Sequence, residues 1–288
     1  MHIQWFPGHM TKALRMMEEN VKLVDCLIYV LDSRCIAASF NPKLNEIAGG
    51  KPILYVLNKA DLVEKEHLFA WLKYFKENNM QVVICNSATG NTSKVIDGLK
   101  ILNKNLIEKY QNKGVNRSIR AMVVGIPNSG KSTLINSLCG AKRTITGDRP
   151  GVTRGKQWVV LTKGVELLDT PGTLWPSFEN QEYAKHLAFV GSINEDILNI
   201  LELAEEMIEF NRQNNLQNFM QRYKLTELPE NNAQALEYIA KKRGFLLKGG
   251  VLDTERLAKT IIDDFRKGKL GLIMLEKAEQ QKNYKFVF

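Results

Sequence analysis

The chain has 288 residues, a formal net charge of +9 and four scattered cysteines without a Cys-x-x-Cys pair. This length favours one large domain plus a smaller one, and the longest apolar runs, such as 26–31, are too short for a membrane-spanning helix. The first residues have the composition of neither a signal peptide nor a transit peptide. We therefore expect a soluble cytoplasmic protein with reduced thiols and no membrane partner.

The positive charge is unevenly distributed along the chain. Residues 103–163 contain 12 Lys or Arg against two acidic residues, whereas from residue 190 onward there are 15 basic and 15 acidic residues. Such a surplus is typical either of an ordinary solvated surface or of a surface that binds a polyanion. Charge alone does not decide between the two.

Short apolar strands and helical segments alternate over the first 170 residues. Strands are predicted at 25–32, 53–58, 81–86, 119–125, 157–161 and 165–169. Helices are predicted at 11–24, 65–78, 92–110 and 131–138. This alternation predicts a mostly parallel sheet with helices on both faces.

Beyond residue 189 the strand signals fade. Helical segments are predicted at 199–213, 232–244 and 253–268, each closed by a basic or Gly-rich end. The polar, Gly-containing stretch 111–118 is typical of a linker, here between the helix predicted at 92–110 and the strand predicted at 119–125. We therefore predict an α/β domain at 1–189 and a smaller all-helical domain at 190–288.

A phosphate-binding loop is predicted at Gly125–Ser132, GIPNSGKS, which fits Gly-x-x-x-x-Gly-Lys-Ser and directly follows a predicted strand. Its glycines let backbone N–H groups face a phosphate, and the next helix adds its positive end. Lys131 is predicted to contact the β- and γ-phosphates, and Ser132 to bind Mg²⁺. The predicted nucleotide-binding positions are Asn128, Ser129, Gly130, Lys131, Ser132 and Thr133.

A second phosphate-side motif, Asp-Thr-Pro-Gly, ends the strand predicted at 165–169. In a protein with this loop, an Asp at position 169 holds Mg²⁺ and the N–H of Gly172 contacts the γ-phosphate. Two threonines between the motifs, Thr146 and Thr153, are candidates to close over Mg²⁺ and the γ-phosphate. Thr153 is favoured because it lies on a Gly- and Pro-rich stretch just before a strand.

A base-reading motif is predicted in VLNKAD, at the end of the strand 53–58. Asp61 is expected to accept hydrogen bonds from guanine, Asn58 to fix the ring and Lys59 to lie along it. Ser87 and Ala88 follow the next strand, in a position suited to a backbone contact with the guanine carbonyl. A polar site of this kind rejects adenine strongly, so we predict GTP and GDP as ligands.

The order of these motifs reverses the ordinary order in GTPases, because the base reader precedes the phosphate loop. A circular permutation explains this order: the usual termini are joined through 111–118 and the chain is opened after Gly172. We therefore predict a circularly permuted P-loop GTPase domain. The segment 172–181 then leads directly into the helical domain. Loss of the γ-phosphate is expected to move this segment and thereby reorient the helical domain.

The motif order, the opening WFPGHM, the segment LDSRCIAASFNP and the helical C-terminal part resemble the circularly permuted GTPases of the ribosome biogenesis GTPase A (YlqF) family, over essentially the whole chain. The resemblance implies a GTPase switch that binds a precursor of the large ribosomal subunit and its rRNA late in assembly. We expect a monomer. The alternatives are a phosphotransferase, or a switch serving another RNA or protein partner in tRNA modification or signalling.

The catalytic group is the least determined part of the site. Thr173 and Leu174 follow Gly172, where Ras-like proteins place a water-orienting Gln. The resemblance implies potassium at Asn128, whose alternative role is to stabilise the loop. His9 is predicted to orient water, or else to begin a helix or contact a partner.

Other charged residues have less specific predictions. His67 and His186 are expected on the surface of helices. Two basic clusters, Lys241–Lys248 and Arg266–Lys269, lie at predicted helix ends. They are typical either of helix-dipole complementarity or of phosphate contacts with RNA.

Overall fold

The computed structural model describes residues 3, 8–90, 92–140, 144–146, 158–161, 164–174, 178 and 180–281. In these ranges the strands are β1 (Cys26–Asp32), β2 (Ile53–Asn58), β3 (Gln81–Ile84), β4 (Ile119–Val124), β5 (Thr144–Thr146), β6 (Trp158–Leu161) and β7 (Val165–Asp169). The α-helices are α1 (Gly8–Asn20), α2 (Pro42–Ala48), α3 (Lys65–Glu77), α4 (Ser93–Leu102), α5 (Lys104–Gln111), α6 (Lys131–Cys139), α7 (Gln181–Phe189), α8 (Ile200–Asn214), α9 (Leu216–Tyr223), α10 (Asn232–Arg243) and α11 (Thr254–Arg266).

The strands form one sheet in the order β3-β2-β1-β4-β7-β6-β5. The first five of these are mutually parallel, whereas β6 pairs antiparallel with β7 and β5 pairs antiparallel with β6. Only three residues separate β6 from β7, too few for the crossover that parallel pairing requires. The predicted, mostly parallel sheet is confirmed, with an antiparallel edge.

The central strands are buried on both faces. All seven residues of β1 are buried, with Leu27, Tyr29 and Leu31 on one side. Cys26, Ile28 and Val30 lie on the other side, in a second apolar cluster. A strand without a polar face is expected where helices cover both sides of a parallel sheet.

The helix predicted at 92–110 is two helices, α4 and α5, which meet at Asn103. The buried Asn103 amide donates to the Leu99 carbonyl and to the Cys26 sulfur. This local hydrogen bonding competes with the regular helical pattern and accounts for the break. The short helices α2 and α9 were not predicted, and α7 was predicted only as a helical segment around His186, without bounds.

The C-terminal residues return to the α/β part of the molecule. The N–H of Ile273 donates to the Leu62 carbonyl at 3.0 Å, and the indole N–H of Trp71 donates to the Glu276 carbonyl at 3.0 Å. One apolar cluster therefore continues from α1 to Ala278. The division at residue 189 stays a prediction.

The position of His186 contradicts the sequence-based expectation. It is 8% exposed, and its Nδ1 lies 2.7 Å from Oε1 of the buried Glu276. The other oxygen of this carboxylate accepts from the N–H of Ala37 at 2.6 Å. The prediction of a surface residue is wrong because the returning C-terminal segment covers α7.

None of the helices in the described ranges combines the length and apolar character needed to cross a membrane.

Candidate functional site

The predicted motifs meet at the carboxyl edge of the parallel strands. Asn58 ends β2, Asp169 ends β7, and the loop beginning at Gly125 directly follows β4. Parallel strands present their carboxyl ends at one edge, where open α/β sheets bind their ligands. The chain order of the motifs is permuted, yet the three lie together.

The loop between β4 and α6 requires two of its glycines. Gly125 has φ +149° and Gly130 has φ +95°, conformations that other residues rarely adopt. A Cβ atom at Gly125 would overlap the Val30 carbonyl oxygen, and one at Gly130 would overlap the Asn58 side-chain amide. The loop therefore lies against the ends of β1 and β2.

Lys131 begins α6 and folds back into this loop. Its side chain is buried, and Nζ donates to the Ile126 carbonyl at 2.8 Å. Burial lowers the pKa of Lys131 to about 8, although the charge of Asp169 acts in the opposite direction. The neighbouring Ser132 and Thr133 are exposed in the first turn of α6.

Gly172 lies directly against the phosphate loop. A Cβ atom there would stand 2.7 Å from the backbone of Pro127 and 2.8 Å from Nζ of Lys131. The next residue, Thr173, donates its N–H to the Gly125 carbonyl at 3.2 Å. The Asp169–Gly172 segment and the loop therefore form one packed unit.

Asn58 connects the base-reading segment to two other loops. Its Nδ2 donates to the Ser129 carbonyl at 2.8 Å, while Oδ1 accepts from the N–H and hydroxyl of Ser87 at 3.1 and 2.7 Å. All three residues are buried. The amide of Asn58 thus holds three loops in a defined arrangement.

Lys59 crosses from the base-reading segment to the phosphate loop. Its Nζ donates to the Asn128 carbonyl at 2.6 Å and to Oδ2 of Asp32 at 2.9 Å. Asp61, two residues after Lys59, and Ala88, next to Ser87, are both exposed. The groups predicted to contact the base are therefore accessible, while their supports are buried.

An ion pair beneath Lys59 was missed at the level of sequence. Arg34 donates to both carboxylate oxygens of Asp32 at 2.9 and 2.7 Å, and both residues are almost fully buried. Burial alone would raise the pKa of Asp32, but the charges of Arg34 and Lys59 hold that pKa well below its usual range. The available signal was two opposite charges at the end of an apolar strand.

Asn128 has a left-handed backbone, with φ +58°. Its Nδ2 donates to the Gly191 carbonyl at 2.5 Å, just after α7. In the same place the Ser192 hydroxyl donates to the Pro127 carbonyl at 2.8 Å. The phosphate loop is therefore bonded to the chain that follows α7, a contact that no local sequence pattern signals.

Thr173 and Leu174 are both fully buried. The Asn41 side chain donates to the Thr173 carbonyl at 3.4 Å, and the Leu174 N–H lies 3.5 Å from the sulfur of Met10. The Thr173 hydroxyl has no hydrogen-bond partner among the described atoms. Neither side chain extends into the open site.

Three candidate side chains lie outside the described residues. The backbone of His9 lies in α1, and that of Thr146 lies in β5, but their side chains are outside the description. Thr153 lies outside it entirely. Their predicted roles stay predictions.

Together, the glycine-shaped loop before α6, the Asp169–Gly172 segment and a base-reading segment that comes first in the chain define a circularly permuted P-loop GTPase. Such an enzyme hydrolyses GTP.

The sequence is 42% identical over 282 residues to ribosome biogenesis GTPase A of Bacillus cereus, covering 97% of this chain and 95% of that protein. It is 30% identical to ribosome biogenesis GTPase A of Thermotoga maritima, covering 96% and 95%. The chain belongs to the ribosome biogenesis GTPase A family, and the resemblance seen in its sequence is confirmed.

Comparisons at the level of domain and structure agree. Residues 120–236 match a family model described as 50S ribosome-binding GTPase. The GNP-bound crystal structure of YlqF from T. maritima superposes with a TM-score of 0.65 at 28% identity, covering 93% of this chain and 99% of that one. A GDP-bound YlqF structure gives 0.62 at 27% identity, covering 92% and 100%.

Proposed function

We propose that this protein is a GTP-driven switch that binds a precursor of the large ribosomal subunit and its rRNA, and leaves after hydrolysis. The observation that carries the nucleotide part is the Asn58 amide, which ties the base-reading segment, the phosphate loop and the Ser87 loop together. This arrangement supports a site in which base identity and phosphate binding are read by one rigid unit.

In this proposal Asp61 accepts hydrogen bonds from the guanine N1–H and amino group. Lys59 lies along the base, and the backbone at Ala88 contacts the guanine carbonyl. The exposure of Asp61 and Ala88 supports these roles. Adenine is rejected because it would leave the Asp61 carboxylate unpaired.

Lys131 binds the β- and γ-phosphates after leaving the Ile126 carbonyl, which takes the place of a phosphate oxygen in the present geometry. The backbone of the loop, including Ser129 and Gly130, encloses the β-phosphate, and Thr133 contributes at the start of α6. The Gly172 N–H contacts the γ-phosphate, a role supported by its packing against Pro127.

A Mg²⁺ ion fits the residues at this edge, since the exposed Ser132 hydroxyl and the Asp169 carboxylate are hard oxygen donors. When bound, Mg²⁺ offsets the charge that develops on the phosphates. We assign Ser132 and Asp169 to it, together with Thr153. Lys131 and the Gly172 N–H provide the remaining stabilisation of the transition state.

We further propose that Oδ1 of Asn128 contributes to a potassium site, because its Nδ2 is already directed to Gly191. His9 is proposed to orient the attacking water once a partner orders the N-terminus. The buried Thr173 and Leu174 support a catalytic group that comes from elsewhere.

The ribosomal partner is supported by the relatives, whose names refer to ribosome biogenesis. The cluster Lys241–Lys248 also supports it, because its basic side chains at the end of α10 are exposed. Arg266, in contrast, donates to two carbonyls at the end of α7. We therefore assign rRNA phosphate contacts to Lys241–Lys248. The protein is proposed to act as a monomer in the cytoplasm.

GTP hydrolysis by the purified protein, measured with and without large ribosomal subunits in matched potassium and sodium buffers, tests this function. We expect stimulation by subunits that is greater in potassium. A triple charge reversal at Lys241, Lys242 and Arg243 should abolish stimulation while leaving basal hydrolysis intact. Equal rates in every condition would contradict the ribosomal role without affecting the GTP site.

A further inference from the structure

The nucleotide site has a buried support that the proposed chemistry does not use. Asp32 accepts from Lys59 and from Arg34, so one carboxylate is shared by two cations. Lys59 simultaneously donates to the Asn128 carbonyl. The position of the Lys59 ammonium group is therefore set by two acceptors, one in the phosphate loop and one at the end of β1.

Arg34 extends this support to the C-terminal part of the chain. Its third terminal group, Nη1, donates to the Arg266 carbonyl at 3.3 Å, and its guanidinium lies 5.2 Å from the centre of the Phe265 ring. The Arg34 carbonyl accepts from the N–H of Leu275 at 2.7 Å. Each guanidinium nitrogen of this buried residue, and its carbonyl, thus bonds either to Asp32 or to the end of α11 and the segment after it.

The contacts continue back to the phosphate loop by a second route. The Arg266 side chain donates to the carbonyls of Phe189 and Ala188 at 2.9 Å each, at the end of α7. A Cβ atom at Gly191 would stand 3.1 Å from the centre of the same guanidinium. Gly191 in turn accepts from Asn128. Hydrogen bonds thus connect Lys59 to the end of α11 through Asp32 and Arg34, and the end of α11 to the end of α7 through Arg266. Just after α7, Gly191 bonds to Asn128, whose carbonyl accepts from Lys59.

We propose that Asp32 and Arg34 are positioning residues for guanine nucleotide binding. Asp32 holds Lys59 against the phosphate loop, and Arg34 makes that hold depend on the end of α11. The inference rests on the guanine-binding role proposed above for Lys59.

The partners of the Arg34 guanidinium lie on two different parts of the chain, Asp32 at the end of β1 and the Arg266 carbonyl at the end of α11. Arg34 is 1% exposed while α11 is docked, and separation of α11 would remove both the Arg266 carbonyl and the Phe265 ring from its guanidinium. Arg34 and Asp32 would then shift to recover partners, and Lys59 would lose its fixed acceptor. Because coupling between two sites is reciprocal, a bound nucleotide that fixes Lys59 also favours the docked position of α11.

The first test is a double-mutant cycle on GDP affinity, measured by calorimetry. Asp32→Asn should weaken GDP binding on the order of tenfold, as expected for directly coupled residues. In the Lys59→Met background, the same change should have almost no further effect, since its target ammonium is gone. Equal losses in both backgrounds would show a general structural effect and overturn the proposal.

The matched control is Asp25→Asn. Asp25 directly precedes the first residue of β1, at the end of the strand that lies away from the nucleotide site. Its carboxylate pairs with Arg117 at 2.9 Å. GDP affinity should be unchanged in this variant. Thermal unfolding of every variant reports the folded fraction.

The second test uses Arg34→Lys, which keeps the charge but cannot reach Asp32 and the Arg266 carbonyl with one planar group. In the wild-type protein, saturating GDP should slow hydrogen exchange of the Leu275 N–H. In Arg34→Lys the protein should still bind GDP, but exchange at Leu275 should not respond.

The outcomes separate two failures. A wild-type protein that does not bind GDP would contradict the proposed function itself. A wild-type protein that binds GDP without any exchange response at Leu275, or an Arg34→Lys variant with the wild-type response, would overturn the coupling alone.

Discussion

The two halves of the nucleotide site differ in how their polar groups are bonded. On the base side, Asn58 and Ser87 already form the hydrogen bonds that hold the loops together. On the phosphate side, Lys131 bonds to a carbonyl of its own loop. The base side therefore provides a rigid surface for recognition, whereas the phosphate side must exchange an internal contact for a phosphate.

The largest expected effect breaks recognition on the base side. Asp61→Asn should weaken GDP binding by about 10⁴-fold, because the amide cannot accept both guanine donors. Xanthine carries a carbonyl in place of the amino group, to which the new amide can donate, so xanthosine diphosphate should now bind. Competition calorimetry with both nucleotides checks this exchange. Loss of both ligands, or retained GDP binding, would contradict the assigned role.

The next effect concerns the phosphate side alone. In Gly172→Ala the new Cβ would meet the Pro127 backbone, so the segment must move away from the loop. Hydrolysis should fall by a factor on the order of 10² to 10³, as for loss of one preorganised donor. GDP affinity, measured in parallel, should fall much less than the rate, because GDP lacks the γ-phosphate that the Gly172 N–H contacts. An unaffected rate would remove Gly172 from the catalytic groups.

A pH dependence sharpens the contrast between the halves. Burial lowers the pKa of Lys131 to about 8, and a bound phosphate raises it. Below pH 8 the lysine is already protonated. Above pH 8 binding must take up a proton, so GDP affinity should fall by about tenfold per pH unit.

Guanosine provides the control for this pH dependence, because it lacks phosphates and occupies the base side alone. Its affinity should not show the Lys131 contribution. The difference between the pH dependences of GDP affinity and guanosine affinity therefore reports the protonation of Lys131. Parallel curves for the two ligands from pH 7 to 10 would show that Lys131 does not titrate on binding.

The smallest expected effect tests the rigidity of the base side. Ser87→Ala removes one of the two donors to Oδ1 of Asn58 while keeping the backbone N–H. A neutral hydrogen bond contributes about 1 kcal/mol, so GDP affinity should fall by roughly fivefold. Ser93→Ala, at an exposed position on α4, is the matched control. Equal affinities in both variants would mean that Asn58 needs no support from Ser87.

Local motifs made much of the fold and site predictable. The bounds of β2 and β7 agree with the predicted strands, because their apolar runs end sharply at polar residues. The phosphate loop before α6 and the base-reading motif could also be located from the sequence, because each directly follows such an apolar run. Even α2 had a local signal, since Asn41 caps it and Pro42 follows at its first position.

The missed features depend on contacts between distant parts of the chain. The antiparallel β5 has three residues, too few for a periodic pattern. His186 appeared exposed on α7 because its partner, Glu276, is 90 residues away. The contact between Asn128 and Gly191 spans 63 residues. A sequence pattern describes neighbours along one helix or strand, and none of these interactions is of that kind.

The bond between Ala37 and Glu276 also has a consequence for synthesis, since 239 residues separate its two ends. At about 5–20 residues per second, a ribosome needs roughly 10 to 50 s to deliver the second partner. Until then, the indole N–H of Trp71 cannot donate to the Glu276 carbonyl, and part of the apolar surface around Trp71 is not covered by the C-terminal residues. During synthesis the α/β part is therefore incompletely covered until the segment around Glu276 has been made.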